Sequence, residues 1–111
     1  MIEITVREYL TEKIRLPVYM EFPSDPPDRF VVLKKADSSR EDLVDTSMFV
    51  VDSYAESLLE TAKLNEQVKT ALDSLVALDA VSESKRGGDY PFFDTKNKRY
   101  RYQAVYNITH Y

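Results

Sequence analysis

The chain lacks cysteine and tryptophan altogether and has one histidine and two glycines among its 111 residues. Without cysteine there is no disulfide and no thiolate metal site. With His110 as the sole imidazole, a zinc site would draw nearly all its ligands from carboxylates, which is unusual for that metal. Gly87 and Gly88 stand alone, outside any G-x-G-x-x-G or G-x-x-x-x-G-K-[ST] pattern, so phosphate-cradling loops are not expected and the pair reads as a turn. There is no surplus of positive charge. The net charge is −4, whereas a dedicated nucleic-acid-binding domain normally carries a basic excess. No apolar run approaches the length that spans a bilayer. The first residues carry charge from Glu3 and have no apolar h-region, so a secretory leader is not expected and the cytoplasm is the expected compartment.

What is present reads as one α+β domain over residues 1–111. Residues 55–75 form the clearest helical stretch. Ala55, Leu58, Leu59, Ala62, Val68, Ala71, Leu72 and Leu75 make an apolar stripe, with Glu56, Glu60, Lys63, Glu66, Lys69 and Asp73 on the charged face. A shorter helix is expected over residues 5–15, where Val6, Tyr9, Leu10 and Ile14 share a face, Thr5 and Glu8 have capping-box spacing, and Pro17 ends the run. Strands are expected over residues 17–22, 30–35 and 43–53, then 76–84 and 99–111. Pro23, Pro26 and Pro27 stiffen the loop between the first two. The polar residues 36–41 read as a hairpin loop, which makes the strands on either side of it antiparallel. The predicted architecture is therefore a four- to five-stranded, mostly antiparallel or mixed sheet packed by one long and one short helix.

The last strand alternates cleanly. Tyr100, Tyr102, Ala104, Tyr106 and Ile108 line one face; Arg101, Gln103, Val105, Asn107 and Thr109 line the other. It is long for a strand, so it either crosses a wide sheet or overhangs as an edge that another subunit can complete.

Catalytic constellations are absent from the pattern. His110 has no evident nucleophile or orienting partner. Ser47 and Ser53 lack a G-x-S-x-G elbow. Glu21, Asp25, Asp28, Asp37, Glu41, Asp42 and Asp45 show no EF-hand spacing and read as solvated loop residues. No enzyme activity, cofactor or metal is expected. The one cluster of note joins Lys96, Lys98, Arg99 and Arg101 to Phe92, Phe93, Tyr100 and Tyr102. Such a basic–aromatic segment can track phosphates and stack bases. The acidic total favours instead a polar turn entering an amphipathic strand, its tyrosines packing under the helix; a third use is a basic edge that meets the acidic surface of an identical neighbour. The eight tyrosines fit both an interface and a half-buried sheet face.

Read as a whole, the order of features is distinctive. Val6, Tyr9 and Leu10 lead into Pro17-Val18-Tyr19-Met20-Glu21; a Pro-rich step precedes Phe30-Val31-Val32-Leu33; Phe49-Val50-Val51 hands over to the long helix; the chain closes with Arg101-Tyr102-Gln103-Ala104-Val105-Tyr106-Asn107-Ile108-Thr109. This resembles the tail-terminator, or tail-completion, proteins of long-tailed double-stranded DNA phages and prophages. The resemblance implies a non-catalytic subunit that forms a ring, typically six-fold. That ring caps the tail-tube protein, stops tube growth and meets the head connector or head-closure protein. It would assemble in the host cytoplasm and end in the virion tail, with no membrane and no direct nucleic-acid partner. Other neck subunits for head closure or head–tail joining share the pattern. A different class, a small ligand- or nucleic-acid-binding module using Lys96 to Tyr102, is the alternative. The stripe on the long helix predicts that Leu59→Asp unfolds the domain.

Overall fold

A computed structural model describes all 111 residues. In chain order they form α1 (Ile2–Ile14), β1 (Val18–Tyr19), β2 (Phe30–Glu41), β3 (Val44–Tyr54), α2 (Leu58–Asp73), a 3₁₀ turn (Ser74–Ala77), β4 (Val81–Asp94) and β5 (Arg99–His110). The five strands make one sheet in the order β1-β2-β3-β5-β4. Only β1 and β2 are parallel; every other neighbouring pair is antiparallel. This is the expected α+β class.

Both helices pack on one face of the sheet. There Val6 and Leu10 of α1 and Leu64, Val68, Leu72 and Leu75 of the α2 segment meet Leu33, Phe49, Val51, Ala104, Tyr106 and Ile108. The opposite face has no helix. A smaller cluster of Phe30, Val32 and Tyr54, with Tyr19 and Phe22 against it, covers one end of that face. Its rings pack edge-on, except Phe30 and Tyr54, which stack at 4.7 Å.

Several boundaries differ from the sequence reading, each for a physical reason. α1 starts at Ile2, and Thr5 is inside it, its hydroxyl bonded back to the Met1 carbonyl. The expected capping box is therefore not formed, because Ile2 packs against the core and draws the first turn into the helix. The chain leaves α1 through Arg15 in the left-handed region, two residues before Pro17. β1 is shorter than expected, since only Val18 and Tyr19 pair with β2.

Residues 36–41 are not a loop. They continue β2, paired with β3 as far as Glu41 opposite Val44. The turn is the two-residue step Asp42-Leu43, with φ of 53° and 68°. Those angles match the hairpin turn whose twist suits flanking strands, here without the usual glycine. The polar composition marks an exposed strand edge. Residues 76–80 are likewise not strand: the chain makes a 3₁₀ turn and β4 begins at Val81. Gly87 and Gly88 do not turn the chain; they sit in a bulge inside β4, opposite Val105. A Cβ on Gly87 would come within 3.2 Å of the Val105 side chain and carbonyl, whereas one on Gly88 would meet open space. β5 is not an overhanging edge. It lies between β3 and β4 and is paired on both sides.

α2 begins with Ser57, whose hydroxyl accepts the Glu60 N–H at 3.2 Å. Ser57 and Glu60 have the true capping-box spacing. The buried line then runs through Leu64, Val68, Ala71, Leu72 and Leu75. At 100° per residue, Leu59 falls roughly 140° away from Leu64, and it is 64% exposed. Leu58 is half-exposed too, so the expected stripe holds at Ala55, Val68, Ala71, Leu72 and Leu75 but not at Leu58 and Leu59, and it lacks Leu64.

The expectation for Leu59 is thereby reversed. Leu72→Ala should cost about 2–5 kcal/mol, while Leu59→Asp should change stability by less than about 0.5 kcal/mol; urea unfolding of both variants measures the contrast. In the bulge, Gly87→Val should destabilise by roughly 1–3 kcal/mol through overpacking, and Gly88→Ala should not.

Candidate functional site

The basic–aromatic segment folds into the β4–β5 hairpin, and strand alternation divides it between two faces. Phe92, Arg99 and Arg101 lie on the helix-free face. Phe93, Tyr100 and Tyr102 lie on the helix face. Lys96 and Lys98 are exposed in the turn, Lys98 with a φ of 55°. Asp94 organises that turn by accepting the backbone N–H of Asn97 at 3.2 Å and its side-chain amide at 2.8 Å.

The two arginines are already engaged. Arg99 donates to the Pro27 carbonyl at 3.1 Å and the Asp28 carbonyl at 2.7 Å, with its guanidinium 5.2 Å from the Phe30 ring centre. The proline-rich loop has carbonyls to offer, and Arg99 ties it to the sheet. Arg101 lies 3.5 Å above the Phe92 ring centre, with Asp52 at 3.6 Å and Asp94 at 3.8 Å. Of the four cations in the segment only Arg101 has ion-pair partners; Arg99 is held by backbone carbonyls, and Lys96 and Lys98 are exposed. Phe93 and Tyr100 pack edge-on at 5.5 Å and stay nearly half-exposed at the end of the molecule. Tyr100 is thus not held under α2, unlike Tyr106.

Around Arg101 the helix-free face carries a polar network that no motif announced. Asp52 is buried, accepts the Gln103 amide at 2.9 Å and has Lys34 at 4.0 Å. Tyr54 donates to Asp94 at 3.0 Å. Tyr90 donates to Gln103 and stacks on Phe92. Asp52 Oδ2 and Arg101 Nε have no hydrogen-bond partner. Burial pushes the Asp52 carboxyl above its ordinary value, against the pull of Gln103, Arg101 and Lys34. Burial and the neighbouring Asp94 push the Tyr54 hydroxyl up as well. For Asp94, burial acts upward, but the hydrogen bonds from Asn97 and Tyr54 hold the carboxyl low.

A second network lies along α2. Thr61, Asn65, Lys69 and Asp73 recur every four residues beside the apolar line, and the first three are buried. Asp89 accepts from Asn65 at 2.8 Å and from Lys69 at 2.9 Å. Asp73 accepts from Tyr106 at 2.8 Å and pairs with Arg86. The Arg86 hydrogen bond holds Asp73 below the usual carboxylate range, and the Lys69 hydrogen bond does the same for Asp89. The four-residue spacing was the readable signal for this line; its partners on β4 and β5 were not readable.

His110 bonds Ser47 at 2.9 Å. Both are buried. With the serine hydroxyl buried, the pair pins β3 to β5. No group of three or more histidine and carboxylate side chains is placed to hold a metal, and no helix is long and apolar enough to cross a membrane. A surface depression of about 730 Å³ is lined by Arg7, Tyr19, Met20, Glu21, Phe22 and Ser24, with Pro23. A scan against protein-family models and a search of curated proteins each find no match.

The raised Asp52 carboxyl is testable. Its ¹³C NMR titration should have a midpoint above 3.8, and Arg101→Met should move it higher by removing the nearest cation. Because the folded carboxyl holds its proton to higher pH than the unfolded one, Asp52 lowers stability as pH rises above the unfolded value. Asp73 and Asp89 act in the opposite sense: their contribution is full above the unfolded value and is lost as pH falls through their depressed folded values.

Proposed function

We propose that the protein is a structural subunit of a phage or prophage tail, one that assembles into a ring on the end of the tail tube and joins it to the head connector. The observation that carries this reading is the sheet itself. It stops at two unpaired strand edges on opposite sides, the outer part of β2 and the whole of β4. A subunit with two different open edges can pass the same contact from copy to copy, and such head-to-tail contacts close into rings when the rotation per copy allows it. Support also comes from the exposed apolar side chains at both ends of a molecule 43 Å long. Leu43 and Tyr111 are at one end, and Phe93 and Tyr100 at the other. The resemblance in the order of sequence features supplies the tail and the neck; the geometry supports assembly.

The test is to mix the purified protein with polymerising tail-tube protein and view the products by negative-stain microscopy. Rings seated on tube ends, with tube growth halted, are the expected outcome. A protein that leaves tubes growing but binds the isolated head connector would instead be a head-closure subunit. Inertness toward both would sink the phage reading.

A further inference from the structure

The two ends of the sheet carry exposed charge of opposite sign, each beside exposed apolar side chains. At one end β2 turns into β3 through Asp42-Leu43. Leu43 is 78% exposed and sits at a φ of 68°. A bulky side chain meets steric resistance in that left-handed region, and glycine is the usual residue in such a turn. Arg40 at this end is paired with Asp45 at 3.9 Å. Glu41 and Asp42 are exposed and outside every ion pair, and Glu83 of β4 adds a third exposed carboxylate at the same end.

At the opposite end the helix face of the sheet runs on past the helices. Ala104 is buried, but Tyr102 is half-buried and Pro91, Phe93 and Tyr100 are exposed, all on that face. Asp73 of α2 pairs with Arg86, and Asn65 and Lys69 bond Asp89, so stepping toward the start of α2 moves along β4 toward Phe93. Leu58 lies seven residues before Asn65. That places it on the same side of the helix, turned by roughly 20°, and roughly 10 Å closer to the β4–β5 turn. Leu58 is half-exposed. Leu58, Phe93 and Tyr100 thus form an uncovered apolar floor, with Pro91 and Tyr102 behind them. Phe93 and Tyr100 hold each other edge-on at 5.5 Å.

Positive charge marks the rim of that floor. Lys96 and Lys98 stand in the adjoining turn, exposed and outside every ion pair. Asp94, beside them, is engaged by Tyr54, Asn97 and Arg101. Asp28 and Glu56 share a hollow with Lys98, Arg99 and Tyr100; Glu56 is held there by Arg29 at 2.7 Å. A floor and rim of this kind select an apolar side chain accompanied by negative charge. Leu43 with Glu41 and Asp42 is that combination, carried on a two-residue turn at the far end of the same chain.

We propose that Leu43 of one copy of this chain seats on the floor of Leu58, Phe93 and Tyr100 of a second copy, with Glu41 and Asp42 facing Lys96 and Lys98. The contact is heterologous: each copy offers its acidic end to one neighbour and its basic end to the other. It deepens the ring reading and rests on that reading only for closure. Leucine, in place of glycine, at a left-handed and exposed turn position then has a use that the isolated fold does not supply.

Charge reversal tests the contact. Glu41→Lys with Asp42→Lys makes the acidic turn basic; Lys96→Glu with Lys98→Glu makes the basic turn acidic. In sedimentation velocity at low salt the wild-type protein is expected to associate as its concentration rises. Each folded reversed variant alone is expected to associate at least about ten-fold more weakly, since like charges then meet. An equimolar mixture of the two variants is expected to regain association, because each then offers the other an opposite charge at both ends. Leu43→Gly is expected to weaken association about ten-fold or more by removing the seated apolar side chain. It should not lower the thermal midpoint, because glycine suits the left-handed turn. A wild-type protein that stays monomeric at every soluble concentration would overturn the proposal, as would reversed variants that associate like the wild type or a mixture that does not regain association. If the wild type is monomeric and Lys96→Glu with Lys98→Glu abolishes tube capping, the floor belongs to the tube protein and the proposal falls. Association through the ends without tube capping would remove the phage reading alone; tube capping undiminished in both reversed variants would remove this contact alone.

Discussion

Tyr106 is the side chain on which the fold turns. It is the largest fully buried residue. Its ring fills the space between β5 and α2, and its hydroxyl reaches the Lys69 carbonyl at 3.1 Å and Asp73 at 2.8 Å. A buried tyrosine hydroxyl needs a partner. Meeting that need at the C-terminal half of α2 limits how the helix can rotate about its axis. The apolar line of Leu64, Val68, Leu72 and Leu75 then faces Phe49, Val51 and Ile108, and the polar line of Asn65, Lys69 and Asp73 faces β4 and the Arg86–Asp89 segment. Because β5 holds Tyr106 while paired on both sides, one anchoring residue relates the helix to three strands.

The two faces of the sheet are built on different physics. Under the helices, burial of aliphatic and aromatic surface dominates, and each large side chain contributes about 1.5–3 kcal/mol. On the helix-free face the centre of one end is ionic. Arg101 lies between Asp52, Asp94 and Phe92, and aromatic rings from β1, β2, β3 and the loop before β2 cover the neighbouring end. A buried pair of this kind stabilises little relative to an apolar replacement, yet breaking one side of it costs about 3–5 kcal/mol. Its effect here is positional. It commits Arg101 to its own sheet and keeps the hairpin end in one arrangement. In the folded chain Arg101 of this basic segment is balanced by Asp52 and Asp94 and Arg99 is held by carbonyls, while Lys96 and Lys98 stay exposed.

The sheet edges follow from the same topology. Placing β5 in the middle leaves β4 outermost. Keeping β1 to two residues leaves most of β2 open. β2 is bulged once, between Lys35 and Asp37, and β4 twice, between Val81 and Glu83 and between Arg86 and Asp89.

Some of this was readable in the chain. The α+β class, the two helices, the strand order in sequence and the antiparallel β2–β3 pair follow from period and turn chemistry, because amphipathic periodicity is a local property. The alternation of residues 99–111 correctly separated Ala104, Tyr106 and Ile108 from Arg101, Gln103 and Val105. The candidate cluster was legible only as a stretch of residues: which of its cations stay free depends on Pro27, Asp28, Asp52 and Asp94, all distant in sequence. Leu58 and Leu59 fit the apolar pattern yet stay exposed, because a stripe on a helix is defined by what lies opposite it, which the pattern does not contain. Residues 36–41 were misread because an exposed strand edge and a loop are equally polar. Local sequence thus determined which segments could be helix or strand. Tertiary structure decided which strand is central, which edges are open and which charges are spent, because each depends on long-range backbone pairing that no short window of residues contains.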